Sequence, residues 1–232
     1  MERVRVIQEI LNKIKGRNYL EIGVANGDTF TSIDAMLKIG VDPGNPSDKI
    51  KEIIGDNINY FQMKSDDFFK NSENIPYDYK IDVVFIDGLH EFKQVIRDVE
   101  NCLKYLNKRG VIILHDCNPF NEITSIPANS YEEAKKKAIS KGLNWTGAWN
   151  GDVWKAIVYL RSKHNDLNIF TFDCDCGLGI ITKGKPECIL DYSFKDIESM
   201  TYDDLKLNRK KFLNFKELDF FQDFLRDLSF LS

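Results

Sequence analysis

Long apolar runs are absent from this 232-residue sequence, and no stretch approaches the roughly 20 consecutive apolar residues that a membrane-spanning helix needs. The N-terminal residues, MERVRVIQEI, lack the apolar segment of a signal peptide. A strong charge of either sign is also absent: the formal net charge is -4, so no general attraction to nucleic acid or to an anionic membrane is expected. We therefore expect a soluble, cytoplasmic protein without nucleic-acid or membrane partners.

Cysteine is sparse, and its spacing is not that of a disulfide or metal framework. The cysteines form no C-x-x-C pair and are odd in number, which is typical of reduced thiols in a cytosolic protein. Cys174 and Cys176 stand beside Gly177 without a second Cys or His pair, so a turn is a better interpretation there than a metal site. The five cysteines are Cys102, Cys117, Cys174, Cys176 and Cys188.

Short apolar runs alternate with helical patterns over the first half of the chain. With 43% hydrophobic residues, a chain of this length favours one large α/β domain over two. The alternation predicts a doubly wound, mostly parallel sheet. Predicted strands span 19–24, 38–41, 58–63, 80–86 and 111–114. Predicted helices span 2–15, 28–36, 48–54, 66–71 and a long segment from 92 to the pair Arg109-Gly110.

The pattern changes after a helix predicted at 153–162. Two apolar runs, 168–172 and 178–182, are joined by too few residues for a parallel crossover, so they predict an antiparallel hairpin. From Tyr192 the chain is charged and helical. One apolar face there predicts a docking or dimer helix, which allows a homo-oligomer. Its members are Phe221, Phe224, Leu225 and Leu228.

The stretch YLEIGVANG joins the first predicted strand to a glycine-rich turn. Gly23 and Gly27 leave no side chain at this strand-to-helix turn, so backbone N–H groups can approach a ligand. An ordinary tight loop explains the same pattern equally well. The next two strands end in Asp42 and in the pair Ser65-Asp66, which suit a ribose and an adenine edge, although Asp42 could equally cap a turn.

Acidic, imidazole and amide side chains follow the fourth and fifth predicted strands. Open α/β sheets bind ligands at the carboxyl ends of their strands. Asp87 and Asp116 end neighbouring strands and could share a Mg²⁺-type ion, with His115 or an amide oxygen completing the ligand set. His90, three residues after Asp87, is of the right type to accept a proton near neutral pH.

Five segments of the sequence resemble class I S-adenosylmethionine-dependent methyltransferases over residues 17–185. The last two resemble the small-molecule O-methyltransferase branch that includes macrocin- and mycinamicin-type sugar methyltransferases. The resemblance implies a Rossmann-like, seven-stranded sheet with an antiparallel last strand. It also implies a methyltransferase domain at 1–190 with an N-terminal lid helix, and a helical extension of it at 191–232. The segments are YLEIGVANG, GVDPG, MKSDDFF, DVVFIDGLHEF and GVIILHDCNP.

The resemblance also implies roles for individual residues. The implied catalytic residues are His90, as general base, and Asp87, as metal ligand. His115 stands where the sugar methyltransferases carry an acid, and Asn118 is a substitute ligand. The implied cofactor-binding residues are Glu21, Gly23, Gly27, Asp42, Ser65, Asp66 and Asp87, and the implied metal ligands are Asp87, Asp116, His115 and Asn118.

These features predict an enzyme that transfers a methyl group from S-adenosylmethionine to a hydroxyl of a small, sugar-like molecule, with general-base and Mg²⁺ assistance. The loop 117–135 is long enough to be a lid. Trp145, Trp149 and Trp154, with the segment 150–152, could bind a sugar. Two alternatives stay open: an NAD(P)-dependent oxidoreductase, although a Gly-x-Gly-x-x-Gly motif is missing, and a catalytically silent cofactor- or partner-binding module.

Overall fold

The computed structural model describes residues 1–71, 74–75 and 79–228. Contacts between Cα atoms divide these residues into two compact units. Unit 1 comprises the described residues of Met1–Gly88, Arg97–Ile113 and Asp219–Ser232, and unit 2 comprises Leu89–Ile96 and Leu114–Leu218. The last four residues of the predicted extension, 229–232, lie outside the described residues.

Helices and strands alternate along the chain as the sequence predicts. The strands are β1 (Asn18–Ile22), β2 (Leu37–Asp42), β3 (Ile58–Gln62), β4 (Ile81–Ile86), β5 (Leu106–Leu114), β6 (Leu167–Phe172), β7 (Leu178–Lys183) and β8 (Phe215–Lys216). The α-helices are α1 (Arg3–Ile14), α2 (Asp28–Ser32), α3 (Asp48–Ile53), α4 (Ser65–Lys70), α5 (Phe92–Tyr105), α6 (Tyr131–Ser140), α7 (Trp154–Lys163), α8 (Phe194–Ser199), α9 (Tyr202–Leu213) and α10 (Phe220–Leu228).

Unit 1 contains a sheet with the strand order β3-β2-β1-β4-β5. The pairs β1–β2, β1–β4 and β2–β3 are parallel, as predicted. Ile22 of β1 lies opposite Val41 of β2 on one side and Ile86 of β4 on the other. This register sets the next residue of each strand, Gly23, Asp42 and Asp87, at one height along the carboxyl edge of the sheet.

Two helices of unit 1 pack against each other through apolar faces. The buried face of α1, which includes Val6 and Ile10, gives this helix contacts with β4 and with α10. The four apolar residues of α10 singled out in the sequence are also buried. Burial of a Leu or Phe side chain contributes roughly 1.5–3 kcal/mol. The face predicted to dock a partner therefore stabilises the chain's own unit 1.

Unit 2 contains the predicted antiparallel hairpin. β6 pairs antiparallel with β7, from Leu167 opposite Lys183 to Phe172 opposite Leu178. The short β8 pairs parallel with β6 and was not predicted. In the turn between β6 and β7, Gly177 has φ +88°, and a Cβ there would lie 2.3 Å from Cβ of Asn118. Glycine at this position lets the turn lie directly against the segment that follows β5.

Three predicted elements differ from the structure. α2 ends at Ser32 rather than at 36, because Ile33 adopts an extended conformation. α5 ends at Tyr105, and the pair Arg109-Gly110 lies inside β5. The predicted loop 117–135 includes the start of α6, where the Ser130 hydroxyl accepts a hydrogen bond from the Glu133 amide.

The architecture is therefore α/β, with a mostly parallel sheet and antiparallel strands on the C-terminal side, as predicted. Among the described residues there are eight strands rather than seven, because β8 adds a two-residue strand. No described helix is long and apolar enough to cross a membrane.

Candidate functional site

The glycine turn after β1 is compact because other parts of unit 1 approach its backbone. Gly23 has φ +84°, and a Cβ there would lie 2.1 Å from the carbonyl oxygen of Asp87. Gly27 also has φ +84°, and its Cβ would lie 2.6 Å from Cγ1 of Ile50. Packing alone therefore requires both glycines. The same close packing leaves no side chain over the edge of the sheet at this point.

Asp42 braces this turn from the end of β2. Its Oδ2 accepts a hydrogen bond of 2.9 Å from the Ala25 amide, and its Oδ1 accepts one of 2.7 Å from the Gly44 amide. The first bond helps to hold Ala25, whose φ is +47°. Each carboxylate oxygen keeps a second lone pair, so Asp42 can still accept hydrogen bonds from two hydroxyl groups.

Ser65 and Asp66 begin α4, just beyond the end of β3. Gln62, the last residue of β3, pairs with Asp42, so these polar residues follow the same edge of the sheet. Oδ1 of Asp66 lies 3.5 Å from Nε of Arg97, and 38% of the Asp66 side chain is exposed. Unit 1 thus brings Asp42, Asp66 and the glycine turn to one edge.

Glu21 lies beneath this edge rather than at it. Its side chain is buried, and it accepts a hydrogen bond of 2.5 Å from the hydroxyl of Tyr19. The pKa of Glu21 is raised from 4.5 to about 8, chiefly by burial; the Tyr19 hydrogen bond lowers it and the negative charge of Asp87 raises it by smaller amounts. Burial likewise raises the pKa of Tyr19. Glu21 is therefore mostly protonated at neutral pH and belongs to the interior of the sheet.

Asp87 is paired with Arg3, a residue that no motif in the sequence singles out. Nη1 of Arg3, the first residue of α1, lies 2.9 Å from Oδ2 of Asp87. Both side chains are partly buried, with 28% and 21% of their surfaces exposed. The two residues are 84 positions apart, so no local pattern could reveal the pair.

His90 is held in unit 2 with its ring orientation defined. Its Nδ1 lies 2.8 Å from the carbonyl oxygen of Trp149. A carbonyl oxygen only accepts hydrogen bonds, so Nδ1 carries a proton. The Trp149 ring lies beside the imidazole at a centroid distance of 4.9 Å. Gly151 makes this approach possible, since a Cβ there would lie 1.9 Å from the carbonyl oxygen of His90.

Asp116 is the buried centre of a polar cluster in unit 2. Its Oδ1 accepts a hydrogen bond of 2.6 Å from the Asn150 amide. Its Oδ2 lies 3.2 Å from Nε2 of His90 and 3.1 Å from Nδ1 of His115. Since Nδ1 of His90 already carries a proton, a neutral His90 would direct an unprotonated Nε2 at the carboxylate. The distance of 3.2 Å suits a hydrogen bond from Nε2 to Oδ2 when His90 is protonated.

His115 lies between two carboxylates. Its Nδ1 faces Asp116, and its Nε2 lies 3.3 Å from Oδ1 of Asp175. Both ring nitrogens can donate only when the imidazole is protonated, so this arrangement favours the imidazolium. Asp175 was not selected from the sequence, and Asn150 was suggested only within the segment 150–152 that could bind a sugar. Asp175 comes from the hairpin turn, which only the pairing of β6 with β7 brings into range.

Asn118 and the tryptophans have partners of their own in unit 2. Oδ1 of Asn118 accepts a hydrogen bond from the guanidinium of Arg209, which also donates to the Pro119 carbonyl. Trp154 is buried and stacks on Phe212, so it belongs to the core. Trp149 is only partly buried, and its Nε1 donates to the Ile126 carbonyl at 2.8 Å.

Much of this geometry lies in a segment that is similar to a known protein family. Residues 20–117 match the family model described as a methyltransferase domain. Solved O-methyltransferases share the fold over 78% of this chain, so the fold is that of a methyltransferase. This confirms the predicted Rossmann-like architecture, and the matched residues run from β1 through the end of β5.

Similar proteins include one sequence relative and several solved structures. A mimivirus protein, uncharacterized protein R132 of Acanthamoeba polyphaga mimivirus, is 29% identical over 176 residues, or 65% of this chain and 75% of that protein. The O-methyltransferase TomG of Streptomyces achromogenes, solved with S-adenosylmethionine, has a TM-score of 0.54 at 10% identity, covering 78% of this chain and 79% of TomG. An O-methyltransferase of Bacillus cereus, solved with S-adenosylhomocysteine, has a TM-score of 0.53 at 14% identity, covering 78% and 80%.

Proposed function

We propose that this protein is an S-adenosylmethionine-dependent O-methyltransferase that acts on a hydroxyl of a small molecule. The observation that carries the proposal is the edge of unit 1, where Gly23, Asp42 and Asp87 lie at one height within a matched methyltransferase domain. O-methyltransferases with the same fold bind S-adenosylmethionine or its product, S-adenosylhomocysteine, which supports the choice of cosubstrate.

The cosubstrate would lie along the carboxyl edge of unit 1. In this proposal Asp42 accepts hydrogen bonds from the ribose hydroxyls with the lone pairs that its backbone donors leave over. Ser65 and Asp66 would face the adenine, because they follow β3 on the outer side of Asp42. The turn from Gly23 to Gly27 would lie beneath the ligand, where the absence of side chains permits close approach of the backbone. Glu21 would act indirectly, as a buried support beneath the turn.

Bound S-adenosylmethionine supplies a methyl group that its positive sulfur already activates, so the protein's main task is to position the acceptor oxygen. His90 would take the proton of that oxygen at Nε2. The hydrogen bond from Nδ1 to the Trp149 carbonyl fixes the tautomer that exposes Nε2, and Asp116 stabilises the imidazolium that forms. His90 can act as a base only after the proton between Nε2 and Asp116 has left.

Divalent-metal assistance is a finer part of the proposal. A bound Mg²⁺-type ion would make the acceptor hydroxyl easier to deprotonate. Asp116 offers such an ion a buried carboxylate oxygen, Oδ2, that lies 3.2 Å from the imidazole nitrogen Nε2 of His90. Asp87, the other acidic ligand that the sequence suggested, pairs with Arg3 through Oδ2 and would have to exchange this partner for an ion. His115 and Asn118, which the sequence also suggested, are engaged by Asp175 and Arg209 and would have to exchange these partners.

A sugar-like acceptor is the other finer part. The Trp149 ring lies tilted beside His90 at a centroid distance of 4.9 Å, so it presents a large aromatic surface next to the proposed base. Tyr131 makes edge contacts with both Trp145 and Trp149, so the start of α6 contributes to the same aromatic cluster. Trp154 is not part of the proposed acceptor site, because its side chain is buried in the core.

Calorimetric titration tests the proposal against its alternatives. The ligands are S-adenosylmethionine, S-adenosylhomocysteine and NADH, each with and without Mg²⁺. Binding of the sulfur nucleosides, followed by methylation of a hydroxylated acceptor, is the expected result. Binding of NADH alone would instead indicate the oxidoreductase. A silent module would bind the sulfur nucleosides without any turnover, but its suggested working surface on α10 is buried in unit 1.

A further inference from the structure

The ion pair between Arg3 and Asp87 lies at one end of the proposed cosubstrate site. α1 packs on β4 through its buried apolar face, and this packing sets its first residue over the carboxyl end of that strand. Nη1 of Arg3 then lies 2.9 Å from Oδ2 of Asp87, with both side chains partly exposed. A ligand at the edge of unit 1 can therefore reach both charges.

The strand order gives the direction in which a bound cosubstrate would run. Polar residues suited to adenine follow β3, and the ribose acceptor Asp42 ends β2. Gly23 directly follows β1, and Asp87 directly follows β4. Neighbouring strands lie about 4.8 Å apart, so Asp42 and Asp87 are separated by roughly two strand spacings with only glycine backbone between them. A ligand with adenine at β3 and ribose at β2 has its remaining end at β4.

That remaining end is an amino acid, with an ammonium and a carboxylate on one carbon atom. We propose that Arg3 binds the α-carboxylate of the cosubstrate and that Asp87 binds its α-ammonium. This inference rests on the proposed function. It adds Arg3, which lies on α1 and not at the end of a strand, to the proposed cosubstrate site. A guanidinium suits the task because its paired N–H groups match the two oxygens of a carboxylate. The protein offers opposite charges side by side, as the ligand does.

Paired ligands isolate the contribution of the carboxylate. The first ligand is S-adenosylhomocysteine, and the second is its decarboxylated analogue, S-adenosyl-3-thiopropylamine, which keeps the adenosine, the sulfur and the amine. Calorimetry on the wild-type chain should show about 10- to 100-fold tighter binding of the first ligand, the usual worth of hydrogen bonds to a charged group. Arg3→Gln should reduce this preference to about threefold or less while leaving the affinity for the analogue nearly unchanged.

Arg5→Gln is the matched control. Arg5 lies on the same helix, is exposed, and pairs with Glu9 at 2.6 Å, so this variant should keep the wild-type preference. Arg3→Lys, which keeps the charge without the paired N–H groups, should retain part of the preference and serves as a second variant if Arg3→Gln does not fold.

Three outcomes would overturn the assignment of Arg3. They are equal wild-type affinity for the two ligands, a full preference in Arg3→Gln, and an equal loss of both affinities in Arg3→Gln, which would indicate a merely structural role for α1. Failure of the wild-type chain to bind either sulfur nucleoside would contradict the proposed function itself, and the assignment of Arg3 with it.

Discussion

The buried carboxyl of Glu21 gives a prediction about stability and pH. Its pKa is raised in the folded state, from 4.5 to about 8. Between these two values the unfolded chain releases the proton and the folded chain keeps it, so the free energy of unfolding falls as the pH rises. At about 1.4 kcal/mol for each tenfold change in proton affinity, the full loss above pH 8 is at most about 5 kcal/mol.

Replacing Glu21 by Gln removes this titration while keeping an oxygen that can accept from Tyr19. We expect Glu21→Gln and the wild type to have similar free energies of unfolding near pH 5. Above pH 8 the variant should be the more stable by several kcal/mol. Denaturant unfolding followed by circular dichroism from pH 5 to 9 measures the difference.

Glu100→Gln controls for the loss of one carboxyl, because Glu100 is exposed on α5, and its curve should run parallel to that of the wild type. Parallel curves for Glu21→Gln and the wild type over the whole range would show that burial does not hold the proton on Glu21.

The remaining predictions concern unit 2. His90→Ala should lower kcat by about 10²- to 10⁴-fold, the usual contribution of a general base, with little change in S-adenosylhomocysteine affinity. Steady-state kinetics measures the first quantity and calorimetry the second. An unchanged kcat would contradict the role of His90 as the base. Gly151→Ala should lower the melting temperature and the turnover, because its Cβ would lie 1.9 Å from the carbonyl oxygen of His90. Gly142→Ala is the control: Gly142 also has a positive φ, but a Cβ there would have no atom within 4 Å, so its melting temperature should fall less. Equal falls in melting temperature for the two variants would refute the clash. Trp154→Ala should cost about 3–5 kcal/mol in denaturant unfolding, whereas a loss below 1 kcal/mol would contradict its place in the core.

Strand positions were predictable because each strand of unit 1 carries its own local signal. Apolar runs bounded by glycine or acidic residues marked β1 to β4 within one or two residues, and the short connection between β6 and β7 required an antiparallel pair. α6 was missed although Ser130 and Glu133 have the spacing of a helix cap, because the polar residues around them were interpreted as a lid. β8 has two residues and no pattern of its own.

The candidate site was predictable only as a set of strand ends. Local sequence selected Asp42, Asp87, His90 and Asp116, since each follows an apolar run. It could not select their partners, because the contacts of Arg3 with Asp87 and of Asp175 with His115 depend on packing between distant segments. Trp154 shows the opposite error: its residue type suggested a ligand contact, but stacking on Phe212 places it in the core. The assigned roles and the domain boundary at residue 190 stay predictions.

The central claim is that the carboxyl edge of unit 1 binds an adenosine-containing methyl donor through Asp42. Titration of S-adenosylhomocysteine into the wild-type chain and into Asp42→Ala tests it most directly. We predict saturable binding by the wild type and at least about tenfold weaker binding by the variant, since hydrogen bonds from two ribose hydroxyls to a carboxylate would be lost. Undiminished affinity in Asp42→Ala, with the variant still folded, would contradict the claim.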